Sequence, residues 1–381
     1  MKIAHIGLAS FFTEHMAYQD NQLSNQNALD GHAVLVVSNA SKYADGKVVD
    51  TGYEDRILEN GVRLVRLPYR RILSRSVSDK LRVVDGLYDL LEDFGPDVIL
   101  SHNLAYWSVL DVIRYKKKHP AVKLYADTHT SVYNSGRNWV SLHIQHRMLY
   151  RYLTQRALPY LEKYLYVGAG ERDFARENYG VPPERMELFP LGGNPLEKKE
   201  FLAHRAERRE ELELAEGELL LLHSGKLDAP KRTKELLEAF AAVPELKAKL
   251  AVIGSVPEKE KENLLPLMAA DPRVVYLGWK QSSELLSYLC AADLYCQPGS
   301  VSATLQNAVC CGCAVMAYPH LIYTEDLDYG NILWVKSKED MAAVFRDLAD
   351  RKTDLAALRE NSVRCARELL DYRTLAARLY R

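Results

Sequence analysis

The sequence predicts an α/β chain of two parallel-sheet domains, and three observations predict it. Short apolar runs of strand character recur along the 381 residues. Helical stretches separate most of them. A cluster of Pro190, Gly192, Gly193, Asn194 and Pro195 interrupts the alternation near its middle. Strands alternating with helices imply βαβ units, and Gly/Pro clusters imply a hinge. At about 100–200 residues per domain, the length also suits two or three domains.

The elements follow in order. KIAHIGL (2–8) reads as the first strand, followed by a polar loop and a helix over 16–30 that ends at Asp30-Gly31, where glycine is the usual stop. Further strands fit AVLVVS from Ala33, VRLVRL (62–67), DVILS (97–101), VKLYADT (122–128), KYLYV (163–167) and MELFPL (186–191). Helices fit 78–94 and 105–118 between them. After the hinge, strands fit LLLLHS (219–224), AKLAVIG (248–254), RVVYLG (273–278), DLYCQP (293–298), AVMAY (314–318) and NILWV (331–335). Helices fit 232–242, 257–270, 281–291, 302–311 and 337–350, and 353–381 reads as helical throughout. The domains expected are 1–190 and 206–364 with a linker at 191–205, the last helix (about 365–381) returning to the first domain. Ligands of such sheets bind beyond the carboxyl ends of the strands, so a cleft between the domains is the expected site.

Composition narrows the class. Fifty Lys+Arg against 51 Asp+Glu give a net charge of -1, which argues against binding nucleic acid through overall charge. Six cysteines are too few for a disulfide scaffold. No run of 18 apolar residues and no signal-peptide pattern is present, so a cytoplasmic location is expected.

Several loops carry residues suited to chemistry. In HSGKLDAPKRTKELLEAF (223–240) a strand gives way through Gly225 to a helix near Thr233, with Lys226 and Lys231 in the turn. Two cations beside a helix start suit an anionic ligand such as a diphosphate, the competing reading being a solvated basic loop. In YCQPGSVSATLQNAVCCGCAVMAYP (295–319), Gly299, Ser300, Ser302, Ala303 and Thr304 lead into a helix whose free amides can hold phosphate. A capped helix with Ser302 at its start explains the same pattern. Asp127 and His129 close an apolar strand, where a histidine can donate to a hydroxyl or move a proton, and His102 is its rival. The CCGC run (310–313) lacks a second ligand pair and reads as core, and Asp326-Leu327-Asp328 reads as a solvated loop. Arg63, Arg66, Arg70, Arg71, Arg75, Lys80 and Arg82, with Arg137, Arg147, Arg151 and Arg156 further on, form basic stretches interleaved with apolar residues. They suit either exposed helix faces or peripheral contact with an anionic membrane.

Taken together, the pattern resembles the retaining GT-B glycosyltransferases of the large group 1 family, over nearly the whole chain. The matching pieces are GHAVLVVS (31–38), PDVILSHN (96–103), Gly225-Lys226 with Lys231 and LLEAF (236–240), VVYLGWKQSSELLSYLCAADLY (274–295) and LQNAVCCGCAV (305–315). The resemblance implies a GT-B fold of two Rossmann-like domains. It implies a nucleotide-sugar donor, UDP-sugar favoured, and no cofactor or metal. Lys226 and Lys231 would hold the diphosphate with Gly225, Gly299, Ser300 and the amides near Ser302, Ala303 and Thr304. Gly278, Trp279 and Lys280 would hold the base, His129 would sit by the donor sugar, and Glu325 falls near a family glutamate. A glycan or lipid-linked acceptor would lie on the first domain, with Glu14, Tyr18 and His102 as candidates. One departure stands out: the two family glutamates eight positions apart correspond to Gly299 and Asn307. The expected function is therefore a glycosyltransferase of surface polysaccharide or glycolipid synthesis, with a catalytically inactive GT-B-like subunit as the alternative. A nucleotide-binding dehydrogenase is disfavoured because SFFTEHMAY, not G-x-G-x-x-G, follows the first strand.

Overall fold

The computed structural model describes every residue except 15, 17, 45, 46, 133, 301, 303, 320–325 and 381. The chain forms two units, Met1–Pro190 with Tyr372–Arg381, and Leu191–Asp371. In the first unit the strands are β1 (Lys2–Gly7), β2 (Ala33–Asn39), β3 (Ser41–Ala44), β4 (Lys47–Asp50), β5 (Glu54–Ile57), β6 (Arg63–Leu67), β7 (Val98–His102), β8 (Lys123–Thr128), β9 (Tyr164–Tyr166) and β10 (Met186–Leu188). Eight of them form one sheet in the order β10-β9-β8-β7-β1-β2-β6-β5, parallel except for β5, while β3 and β4 pair as a separate hairpin. The central strands are buried on both faces, and Ile3, Ala4 and Ile6 of β1 have no exposure at all. This is why they read as near-continuous apolar runs.

The second unit holds β11 (Leu219–Ser224), β12 (Ala248–Ile253), β13 (Val274–Gly278), β14 (Leu294–Gln297), β15 (Ala314–Ala317) and β16 (Ile332–Trp334). They form a wholly parallel sheet in the order β13-β12-β11-β14-β15-β16. Strand order reverses at β11/β14, so the loops after these two strands flank the switch point where α/β sheets bind ligands. Both units are thus Rossmann-like, parallel-sheet α/β domains.

Several elements depart from the sequence reading. Strands β3, β4 and β5 were not expected, being short, polar and largely exposed. The helix expected over 78–94 is two helices, Arg75–Leu81 and Leu87–Phe94. Arg82 (φ 52°) and Gly86 (φ 81°) adopt left-handed backbone between them, which ends one helix and starts another. The stretch 191–205, read as a linker, contains the first eight residues of a 14-residue helix, Lys198–Glu211. Arg205 and Arg209 of that helix reach Asp293 at 2.6 and 3.0 Å, and Arg359 reaches it at 3.3 Å. Asp293, in the family-like ADL piece, is thereby a structural pin within the second unit. The C-terminal region is broken at Asp371 (φ -62°, ψ 119°). Residues up to Leu370 pack with Cys310 and Cys313 in the second unit, whereas Tyr372, Leu375, Ala376 and Leu379 pack with Ile3, Val98, Leu100 and Phe189 in the first. All six cysteines are buried free thiols. Among the described residues no helix is long and apolar enough to cross a membrane.

Candidate active site

The second unit carries the basic loop. Gly225 (φ 131°) follows β11, its N–H bonding Ile253 O at 3.0 Å. The backbones here pack so tightly that a Cβ on Gly254 would lie 1.8 Å from Gly225 O. Lys226 is exposed, and its ammonium makes no hydrogen bond or ion pair among the described residues. Lys231 is 6% exposed, and its Nζ donates to Ser300 O at 3.1 Å. Burial lowers its pKa, and nearby Asp228 opposes that shift. A buried cation bonded to a neutral carbonyl is electrostatically under-compensated, which favours an incoming anion. His223, at the end of β11, is committed to structure: it bonds Cys296 O (2.8 Å) and Thr233 Oγ1 (2.9 Å), and burial pushes its pKa down to about 4.

Gly299 explains one missing carboxylate. A Cβ there would lie 2.2 Å from Pro230 O and 2.6 Å from Lys231 C. Ser300 N donates to Pro230 O at 2.8 Å, which closes the loop over the glycine. No side chain fits in this backbone, so the lysine loop occupies the space a glutamate would take. Asn307 is half-buried in the helix Thr304–Cys310, and its Oδ1 lies 3.4 Å from the position of a Cβ on Gly193. Ser302 Oγ accepts from Thr304 N at 3.3 Å, the helix-start role expected of it. Gly278 (φ 68°) accepts from Gly254 N at 2.7 Å, and the next residue, Trp279, is 68% exposed. Lys280 bridges to Glu284 at 3.5 Å. Asp328 accepts from Gly330 N and Trp334 Nε1, a turn role that accounts for the D-x-D. Ala303 and Glu325 lie outside the described residues.

In the first unit the ends of β1, β7 and β8 bring together residues far apart in sequence. His5 Nε2 faces Asn27 Oδ1 (2.8 Å), His5 Nδ1 faces His102 Nε2 (3.1 Å), and His102 Nδ1 faces Asp127 Oδ2 (2.7 Å). Asp127 Oδ1 accepts from Asn103 N (3.1 Å) and lies 3.7 Å from His129 Nε2. Burial, with the neighbouring His102, pushes His5 down to about 3, so it is neutral. With the Asn27 oxygen facing it, His5 carries its proton on Nε2 and accepts on Nδ1. In that arrangement His102 can donate from both nitrogens, one toward His5 and one to the Asp127 carboxylate, which raises its pKa. The shifts agree: burial opposes charge on both, yet each favours the charged form of the other, raising His102 and lowering Asp127. Burial would lower His129 too, but Asp127 outweighs it and raises its pKa. His129 remains partly exposed beside this buried chain, positioned to donate a proton or hydrogen bond.

The structure assembles Asp127, His102 and His129 as one network. Sequence reasoning missed His5, Asn27, Asp20 and Glu171. Asp20 and Glu171 are both raised by burial and both feel the charge on His129. The available signal was His5 in the first strand, in register with Leu100 of β7. Glu14, expected at the acceptor, shares the fully buried Arg66 with Glu54 (3.1 and 2.8 Å) and also pairs with Arg56. Tyr18 is half exposed and precedes the helix Gln19–Leu29.

Comparisons with known proteins agree with this architecture. A family model described as "Glycosyl transferase 4-like domain" matches residues 18–192, and one described as "Glycosyl transferases group 1" matches residues 204–364. The chain belongs to the group 1 glycosyltransferases, of GT-B type. No curated protein matches it. Among solved structures it is similar to sucrose-phosphate synthase from Thermosynechococcus elongatus (18% identity, 99% of this chain and 96% of that one, TM-score 0.64). It is also similar to Anabaena HepE in complex with UDP (14% identity, 99% and 98%, TM-score 0.66). A third is WaaG, described as a glycosyltransferase involved in lipopolysaccharide biosynthesis (18% identity, 99% and 99%, TM-score 0.57).

Proposed function

We propose that this chain transfers a sugar from a nucleotide-sugar, a UDP-sugar first, to a glycan or lipid-linked acceptor, with retention of configuration and without a metal. The observation that carries the reading is the pair of cations after β11. Among the described residues Lys231 is buried and tethered only to a carbonyl, and Lys226 makes no hydrogen bond or ion pair. Departure of the nucleoside diphosphate develops negative charge on the leaving oxygen. Lys226 and Lys231 stabilise that charge as preorganised electrostatics, a role whose loss costs about 10²–10³ in rate. Gly225, Gly299, Ser300, Ser302, Ala303 and Thr304 line the diphosphate, Gly278, Trp279 and Lys280 the base, and Asn307 the ribose. His129, whose pKa Asp127 raises against burial, donates to a donor hydroxyl. Support for the donor comes from the UDP bound by HepE, and support for a surface-glycan or glycolipid role comes from the similarity to WaaG. In this reading the enzyme works on the cytoplasmic side, peripheral to the inner face of the membrane.

A second reading, a GT-B-like subunit that binds without turnover, is favoured by the absence of a carboxylate at Gly299 and Asn307. The test is nucleotide release from UDP-, GDP- and ADP-sugars by the wild type, Lys226→Ala and Lys231→Ala. Release from one donor, reduced at least a hundredfold in both variants, supports the enzyme. Donor binding without release supports the subunit, and neither binding nor release overturns both.

A further inference from the structure

The first unit carries an outward helix face that the catalytic reading does not use. The helical segment begins near Trp139, where Asn138 caps it by accepting from Ser141 N at 2.8 Å, and runs through Ser141–Tyr150 and Arg151–Ala157. Its inner face is anchored: His146 bonds the Tyr179 hydroxyl at 2.8 Å, and Leu153 and Ala157 are buried. Its outer face inverts the normal pattern. Val140, Ile144, Met148 and Tyr152 recur every four residues and are all exposed, with Met148 at 66% and Trp139 at 67%. A surface helix of a soluble domain presents polar residues there.

The charge on this face is one-sided. From Thr128 to Leu161 the sequence contains no Asp or Glu. Arg147, Arg151 and Arg156 make no ion pair among the described residues; Arg147 bonds the neutral Asn178 (2.9 Å), and Arg156 lies over the Tyr152 ring (5.8 Å). Uncompensated arginines interleaved with exposed Trp, Ile and Met match an interface that offers anionic headgroups above an apolar layer. An acidic protein surface would answer the arginines but not the apolar stripe. A second copy of this face would set arginine against arginine.

We infer that this face of residues 139–156 docks on the surface of an anionic lipid bilayer, with Trp139, Ile144 and Met148 entering the headgroup boundary. The inference deepens the membrane part of the proposed function and rests on it. Its test needs no donor and no turnover, and nucleotide release measured without vesicles reports separately on the catalytic part.

Flotation of the full chain with vesicles of phosphatidylcholine alone, or of equal parts phosphatidylcholine and phosphatidylglycerol, tests it. The variants are Arg151→Gln with Arg156→Gln, and Trp139→Ser with Met148→Ser. Circular dichroism checks that these exposed substitutions leave the fold intact. The expected result is binding to the anionic vesicles only, weakened by salt. The arginine pair should weaken it about 25-fold, at about fivefold per charge, and the apolar pair at least tenfold. Equal binding to neutral vesicles, or binding that survives both variants, overturns the inference. So does an absence of vesicle binding with concentration-dependent dimers that the variants abolish, which assigns the face to a second copy.

Discussion

Gly299 and Asn307 stand where the resemblance to the family implies glutamates, and they differ in kind. At Gly299 the loop backbone already fills the side-chain position, so Gly299→Ala must push Pro230 and Lys231 away. Overpacking of this type costs about 1–3 kcal/mol, to be read as a lower melting temperature. Restoring a glutamate there is expected to destabilise the chain without raising activity. Asn307 is half-buried with no side-chain hydrogen bond among the described residues, and Asn307→Ala is expected to leave stability nearly unchanged while weakening UDP binding about 2–12-fold, the range of one hydrogen bond. Calorimetric titration checks this, and an unchanged affinity removes Asn307 from the ribose. A further residue-scale prediction concerns Asp127, which raises the pKa of His102 and of His129. Asp127→Asn is expected to return both imidazole pKa values toward or below 6.5, visible by NMR titration. It should also lower the melting temperature, most at acid pH, where the buried His102 keeps its proton with no carboxylate to answer it. Unmoved histidine titrations would show that the carboxylate does not hold them.

At the scale of elements, the sequence was legible where burial was complete and local. Strands β1, β2, β7, β11 and β14 are core strands, and their apolar runs marked them to within a residue or two. The hairpin β3–β4 and strand β5 were not legible, because KVVD and EDRI lie half in solvent and their pairing owes little to burial. The helix Lys198–Glu211 was hidden for a related reason. None of its residues is buried, and what holds it includes Asp293, more than eighty residues away in the chain. The basic loop after β11, a candidate site, was legible as a loop, since its residues adjoin. The His5–His102–Asp127 chain was not, because only the parallel register of β1, β7 and β8 brings it together. Asp293 joins three elements, accepting from Arg205, Arg209 and Leu220 N and pairing with Arg359. Asp293→Asn is expected to lower the stability of the second unit by about 3–5 kcal/mol, seen as a loss of melting temperature, and an unchanged melt would show that the arginines find other partners.

Across the whole molecule, the histidines give the two units different responses to pH. In the second unit His223 is buried and neutral, its pKa lowered from 6.5 to about 4. A group whose folded pKa is depressed stabilises above its unfolded value, and that stability is lost as pH falls toward the folded one. The loss here is about 3 kcal/mol between pH 6.5 and 4. The first unit has the same liability through His5 (about 3) and His146 (about 4), both lowered first by burial. It also holds His102 and His129, whose raised values act in the opposite sense. Their contribution is complete below pH 6.5 and disappears as pH rises through their folded pKa values. Both units are therefore expected to weaken on acidification, and only the first to weaken through its histidines on the alkaline side. Tryptophans separate the two signals, since Trp107 and Trp139 belong to the first unit and Trp279 and Trp334 to the second. Variants keeping one pair, the other pair changed to Phe, are to be melted from about pH 5 to 9. Between about pH 5 and 8 the second-unit signal should fall only toward acid, and His223→Gln should flatten it; nearer pH 9 its buried thiols, held above their ordinary pKa, add an alkaline loss of their own. A second-unit midpoint that ignores acid in the wild type, or still slopes in His223→Gln, would show that His223 is not the group that couples its folding to protons.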